Sequence, residues 1–340
     1  MGSGSRKRAI GLEIDTGVAR AVEFTGKASA PNLSGLGSIK LPEEAVKEGL
    51  IIEPELVGEA LLKLWQKAGF KEREVILGIS NQAVLVRHMT VPKVSPDKLN
   101  NLIRFQAQEY LPIPLESVIL DYLILGDVVS SSEEDKNKLE VLLIAARKDM
   151  LDKFLATLKI ARLEPFDIDV SSLSLINLLP QKAADITVAI VNVANGLNSI
   201  LVASGDKPRL ARLGLVKISD LAESLGYALD EINLTHIAGD NSSSEVLTRW
   251  INQLAFELRS SLTYYQDQPG TSIIEGLLLC GRGALIPGIS EQLEENIELP
   301  VRFFNPLEAF TPARKRLLET DFEAIEYIIS AGLGIRGLEG

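Results

Sequence analysis

The sequence predicts an α/β protein of two duplicated lobes, the first interrupted by a small α+β insert. Three observations lead there. The composition is 46% apolar but only 5% aromatic, so the cores must be built of Leu, Ile, Val and Ala, as in folds with buried parallel strands. Two similar strand–turn–strand units, at 9–24 and 186–204, each open a half of the chain and point to duplication. Between them, residues 84–162 read strand–helix–strand–strand–helix, the pattern of a separate small domain. A chain of 340 residues is long enough for two or three packed units.

Taken in order, Ala9–Ile14 and Ala19–Phe24 are strands around the turn Asp15-Thr16-Gly17. The Gly/Ser-rich stretch 26–40 leads into a further strand. Residues 54–68 place Leu56, Ala60, Leu61, Leu64 and Trp65 along one side of a helix that Gly69 stops. Val75–Ile79 is a buried strand, and Val84–Val91 a strand ended by Pro92. Ser95 caps a helix with Pro96 at its first position, running to Tyr110. Strands 118–125 and 139–146 flank a polar, charged hairpin loop at 126–138, expected to be mobile, before a helix at 148–161. Strand 165–170 and a short helix 173–179 close the first half. The second half reads as strands 186–193 and 199–204, helices 218–225 and 245–265, strand 277–280 into a glycine turn, helix 289–296, strand 301–304 and a closing helix 323–333. These elements divide the chain into a first-lobe core (8–83, 163–183 and 325–340), the insert (84–162), a second-lobe core (184–216 and 271–324) and a helical subdomain (217–270).

Composition excludes several function classes. A net charge of −11 argues against general nucleic-acid binding and against adhesion to anionic lipid. One cysteine, Cys280, rules out an internal disulfide, and two distant histidines, His88 and His236, do not make a Cys/His metal site. No apolar run is long enough to span a bilayer and no signal peptide is evident. Residues 1–5 read as a cloning remnant. The expectation is a cytoplasmic protein without direct membrane insertion.

Three glycine-punctuated segments carry the chemistry: Gly11-Leu-Glu-Ile-Asp-Thr-Gly-Val-Ala-Arg20, Val191-Asn-Val-Ala-Asn-Gly-Leu-Asn198 and Leu279-Cys-Gly-Arg-Gly-Ala284. A triphosphate needs backbone N–H groups aimed at its oxygens, and tight turns between strands supply such nests. Glycine lets the backbone come close. Two facing turns can clamp phosphates, and a third glycine turn can take adenine and ribose. Any one of these turns alone reads as an ordinary hairpin; three in this order, with an insert between the first two, read as one split site.

Together with Val46–Glu55, Val84–Pro92, Arg104–Pro114, Leu143–Lys148, Leu258–Tyr265 and Ala331–Glu339, these segments resemble the actin-like (ribonuclease H-like) ATPase superfamily. Within it they are similar to the PilM family of type IV pilus assembly proteins, relatives of the cell-division protein FtsA. The resemblance covers residues 8–340 and likens the insert to the small domain of FtsA and PilM. It implies ATP or ADP with Mg²⁺ between the lobes. It also implies a hold on the N-terminal cytoplasmic tail of a PilN-like bitopic inner-membrane protein, which would keep the protein peripheral to the membrane, with self-association a further possibility. Carried onto this sequence, it marks Glu13, Asp15, Thr16, Gly17, Asn192, Asn195, Gly196, Asn198, Gly281, Arg282 and Gly283 for the nucleotide, with Glu257 and Ser261 on the long helix beside Arg259 for the adenosine. For those helix positions a solvated face is the equal alternative. Glu13, with Asp169, would hold Mg²⁺ through water, a capping role being the alternative for Asp169.

The site departs from the family pattern. Glu13 holds its carboxylate one methylene further out, Asp15 stands where a glycine is usual, and Asn192 and Ala194 replace Asp and Gly of the second turn. Residues 13 and 15 share a strand face. A bare carboxylate ~4 Å from a phosphate charge costs on the order of 4 kcal/mol, unless Mg²⁺ lies between them or Asp15 turns away. Arg282 is free to stack on adenine, reach a phosphate or point to solvent. The departures predict slow or absent hydrolysis and a scaffold role in pilus assembly. An FtsA-like filament and an active ATPase are the alternatives; the chain's end at Gly340, straight after the closing helix, leaves FtsA-type self-tethering unsupported. Ile176–Pro180 reads as a hydrophobic helix end closed by proline.

Overall fold

The computed structural model describes residues 7–128, 137–180, 186–237, 241–268, 270–305, 310 and 324–339. The 1–5 remnant, residues 129–136 of the expected loop, the 183/184 boundary and residue 323 lie outside them.

The first lobe is a five-stranded sheet. Its strands are β1 (Arg8–Asp15), β2 (Val18–Lys27), β3 (Ala30–Lys40), β6 (Glu74–Ile79) and β10 (Glu164–Val170), in the order β10-β6-β1-β2-β3. A short hairpin, β4 (Val46–Lys47) and β5 (Leu50–Ile51), leads into helix α1 (Pro54–Ala68). Proline at its start and Gly69 at φ +73° end α1 where the sequence predicts. The second lobe repeats the design with β11 (Thr187–Asn192), β12 (Asn198–Ser204), β13 (Lys207–Gly214), β14 (Leu277–Cys280) and β15 (Val301–Phe303), ordered β13-β12-β11-β14-β15. In both sheets the first strand pairs antiparallel with the next and parallel with a strand reached by a crossover. The duplication is therefore one of topology. Strand β13 is absent from the elements expected above, although Leu210 and Pro208 alternate inward along it.

The insert forms β7 (Val84–Pro92), α2 (Pro96–Tyr110), β8 (Val118–Asp127), β9 (Lys138–Arg147) and α3 (Lys148–Ile160). Its three strands run in the order β7-β9-β8. The expected helix at 173–179 is shorter: α4 (Ser171–Ser174) tightens into a 3₁₀ turn at Leu175–Leu178. There Leu175 and Leu178 are core residues. Helices α5 (Ile218–Ser224), α6 (Asn241–Gln266) and α7 (Ile289–Ile297) cover the second lobe, and α8 (Ile328–Glu339) closes the chain.

Alternation on β1 decides where each core lies. Ile10, Leu12 and Ile14 turn towards α1 and α3 and join Leu61, Leu64 and Trp65 in one cluster. Burying such side chains contributes roughly 1.5–3 kcal/mol each. Ala9 faces the opposite way, onto α8, in a second cluster that continues through the second lobe. Helix α8 lies against the strand so closely that a Cβ on Gly11 would sit 2.0 Å from the Ser330 carbonyl oxygen. Glu13 and Asp15 end the same face. The insert has its own small core around Val91, Ile103, Val141 and Leu143. No helix among the described residues is long and apolar enough to cross a membrane.

Candidate functional site

The β1–β2 turn and the β11–β12 turn meet head to head. Asp15 Oδ1 accepts hydrogen bonds from Thr16 N (2.7 Å) and Gly196 N (3.2 Å), while Oδ2 accepts one from Asn195 N (3.2 Å). In return Asn195 Nδ2 donates to the Thr16 carbonyl at 3.1 Å. The approach needs glycine: a Cβ on Gly196 would stand 2.7 Å from Thr16 Oγ1 and 2.9 Å from Asp15 Oδ1. Gly17 completes the first turn at φ +76°. Asn198 ties the second turn to itself, Oδ1 accepting from Ala194 N at 3.0 Å and Nδ2 donating to the Val216 carbonyl. The third segment backs this pair: Gly281, at φ +80°, lies directly against Asn192, and Gly283 against Val193.

The clasp is buried and charged. Glu13, Asp15 and Arg20 are each less than a tenth exposed. Burial pushes the Glu13 carboxyl up to about 8, with Arg20 drawing it down and Asp15 and Glu326 adding to the rise. Burial likewise raises Asp15, which Arg20 and its three N–H donors oppose. Arg20 is satisfied first by Glu326, at 3.0 Å, and more weakly by Glu13 Oε2 at 3.8 Å. Glu13 Oε2, Thr16 Oγ1 and Arg20 Nε are buried without a hydrogen-bond partner, an arrangement that packing alone does not favour.

The geometry gives three sets of the expected site residues partners within the protein. Arg282 turns inward. It donates to Asn195 Oδ1 and the Leu229 carbonyl (both 3.0 Å) and to the Ile232 carbonyl (2.7 Å), bracing the second turn. Glu257 is engaged by main chain, accepting from Leu215 N at 2.6 Å and Val216 N at 3.3 Å, with Ser261 buried on the same helix and Arg259 donating to the Asn296 carbonyl. Asp169 does not join Glu13. The two sit in register on either side of Gly78, roughly 10 Å apart at two strand spacings, and Leu333 lies over Gly78 between them. Asp169 meets Arg336 instead, at 4.0 Å. No group of three or more His, Cys, Asp or Glu side chains among the described residues could hold a metal ion.

A nucleotide does not fit this clasp as it stands. The N–H nest of Asn195 and Gly196 already holds the Asp15 carboxylate. The space enclosed by Glu13, Asp15, Asn192, Ala194 and Ser199 amounts to about 10 Å³, room for one water at most. A larger cavity of about 430 Å³ adjoins it, bordered by Gly17, Arg20, Lys40, Asn195, Arg282 and Glu326. Ion pairs bridge the halves around it: Lys40–Asp230 and Lys217–Glu48, both 2.8 Å, with Arg209–Glu140 at 2.5 Å tying the second lobe to the insert.

Arg20 and Glu326 are site residues that the sequence reading omits. Arg20 was within reach, because a two-residue turn sets it directly opposite Glu13. Glu326 comes from the far end of the chain and carries no local signal. Cys280 is buried, with its thiol pushed up by burial and donating to the Val191 carbonyl. Trp65 and Trp250 are core residues.

Comparison with known proteins agrees with this architecture. A family model described as type IV pilus assembly protein PilM matches residues 11–338. Cell division protein FtsA of Bacillus subtilis (strain 168) is 22% identical over 352 aligned residues, spanning 87% of this chain and 78% of that protein. A solved PilM–PilN type IV pilus biogenesis complex matches with a TM-score of 0.86 at 26% identity, over 99% of this chain and 100% of that one. Two further structures share the fold. Ethanolamine utilization protein EutJ from Carboxydothermus hydrogenoformans matches at TM-score 0.57 and 12% identity over 100% of this chain and 92% of its own. MreB5 of Spiroplasma citri bound to ADP matches at 0.51 and 11% over 97% and 95%. Two sheets of one topology, meeting at paired turns and interrupted by the small insert, form an actin-like fold, and the chain belongs to the type IV pilus assembly protein PilM family.

Proposed function

We propose that the protein is an assembly scaffold of the type IV pilus inner-membrane platform. It grips the N-terminal cytoplasmic tail of a PilN-like bitopic membrane protein and is held at the inner face of the membrane through that partner. Its cleft sets lobe geometry, with slow or absent ATP hydrolysis. Membership of the PilM family and the likeness to the PilM–PilN complex support this reading. So does a surface feature. Strands β8 of the insert and β10 of the first lobe are both outermost in their sheets, and the charge of Asp121 on β8 reaches Asp169 on β10. Around this seam Ile119, Leu123 and Phe166 remain 52%, 44% and 42% exposed. Open strand edges beside apolar side chains suit an extended peptide, which gains affinity from main-chain bonds and specificity from alternate side chains.

The experiment is calorimetric titration with a synthetic peptide of such a tail. Saturable one-to-one binding, lost in the Ile119→Asp/Phe166→Asp double variant while its melting temperature holds, is the expected result. No binding, together with polymerisation of the protein, would instead favour an FtsA-like filament. Sub-micromolar Mg-ATP binding with steady phosphate release would overturn the statement about hydrolysis.

A further inference from the structure

A carboxylate bridges the two turns at the cleft. Two consecutive N–H groups, of Asn195 and Gly196, converge on one carboxylate, that of Asp15, from the opposite lobe. Successive backbone N–H groups aimed at one point form a nest suited to an anion. Thr16 N adds a third donor to the same carboxylate, and the enclosed space beside it is about 10 Å³. Thr16 Oγ1, at the rim, is buried without a partner, as fits a donor set larger than the carboxylate it holds. The glycine at 196 is required by this contact, because a side chain there would strike Asp15 and Thr16.

We infer that Asp15 is a built-in substitute for nucleotide phosphate: its carboxylate latches the two lobes together across the cleft and keeps nucleoside triphosphate out. The carboxylate thus joins the lobes at the point where a phosphate ester would otherwise sit. The inference concerns the cleft of the scaffold proposed above and adds a regulation to it: the scaffold is closed constitutively. The ion pairs Lys40–Asp230 and Lys217–Glu48 also join the two lobes. The discriminating charge is a single carboxylate facing a phosphate oxygen at ~4 Å, which weakens triphosphate binding by up to about a thousandfold.

The test compares the wild type with Asp15→Ala and Asp15→Asn, titrating each with Mg-ATP. The wild type should bind no more tightly than about millimolar. Both variants should bind at least tens of times more tightly, Asp15→Asn the less so because its amide oxygen still accepts from the nest. In parallel, hydrogen exchange on the ATP-free wild type should show the amides of Asn195 and Gly196 protected, and Asp15→Ala should expose them. Wild-type affinity better than about 10 μM, folded variants that bind no better than wild type, or rapid exchange at Asn195 and Gly196 in the wild type would each overturn the inference. The exchange result needs no variant, so it decides even if Asp15→Ala does not fold. Titrating the tail peptide against the same proteins keeps the two readings apart. Tail binding with an open, exchanging clasp refutes only the latch, and a protected clasp without tail binding refutes only the partner.

Discussion

Arg282→Ala removes the brace behind the second turn, and its cost can be worked from the contacts. The guanidinium donates to Asn195 Oδ1 at 3.0 Å and to the main-chain carbonyls of Leu229 and Ile232 at 3.0 and 2.7 Å. Hydrogen bonds to a charged donor contribute about 1.5–3 kcal/mol each. Asn195 Oδ1 borders the cavity beside the clasp, where water can replace the lost donor, so the two carbonyls carry most of the loss. The variant no longer bears the desolvation cost of the mostly buried cation, which offsets part of it. The expected cost is about 3 kcal/mol. At a urea dependence of roughly 1–3 kcal/mol per molar, the unfolding midpoint should fall by about 1 M or more. The reporter is Trp250, whose indole donates to the Lys217 carbonyl within the second lobe. A Trp65→Phe background removes the first-lobe signal. Arg282→Lys should recover less than half of the loss, since one ammonium cannot span three acceptors set around a planar fork. A midpoint shift below about 0.3 M for Arg282→Ala would refute the bracing role.

Two further outcomes follow from packing and charge. Gly11→Ala would drive a Cβ into the Ser330 carbonyl and Gly334 N, so α8 must move. A loss of about 3 kcal/mol or more in thermal unfolding is expected, against about 1–2 kcal/mol for Gly226→Ala, which meets open space at φ +75°; equal losses would show that α8 is not seated as described. Asp169 is held up at about 6 by burial. A carboxylate raised in the folded state binds more protons there than when unfolded, so its penalty is absent below pH 4 and complete above pH 6. Asp169→Asn should therefore stabilise the protein by up to about 3 kcal/mol at pH 7.5 and leave it unchanged at pH 4; an effect independent of pH would refute the assignment.

The fold was legible because it rests on local periodicity and punctuation. The pattern of α1, its stop at Gly69 and the strand before Cys280 are written in consecutive residues. Strand β13 was harder: it carries Arg209 and Arg212 between its inward residues, and its pairing with β12 is visible only across the sheet. The clasp was half legible. The turns, their order and the shared face of Glu13 and Asp15 follow from the strand period of two.

What the sequence by itself determined is the architecture and the presence of a carboxylate too many in the cleft, since Asp15 follows Glu13 by one strand period wherever the lobes lie. What only the tertiary structure decided is what that carboxylate touches. Whether Asp15 repels a ligand or serves as one depends on the positions of Asn195 N and Gly196 N, 180 residues further along the chain. Likewise Arg20 gained its counter-charge from Glu326, and Asp169 lost Glu13 to a leucine standing over Gly78. Hydrogen bonds and charges act over a few ångströms of space, and distance along the chain does not report that separation.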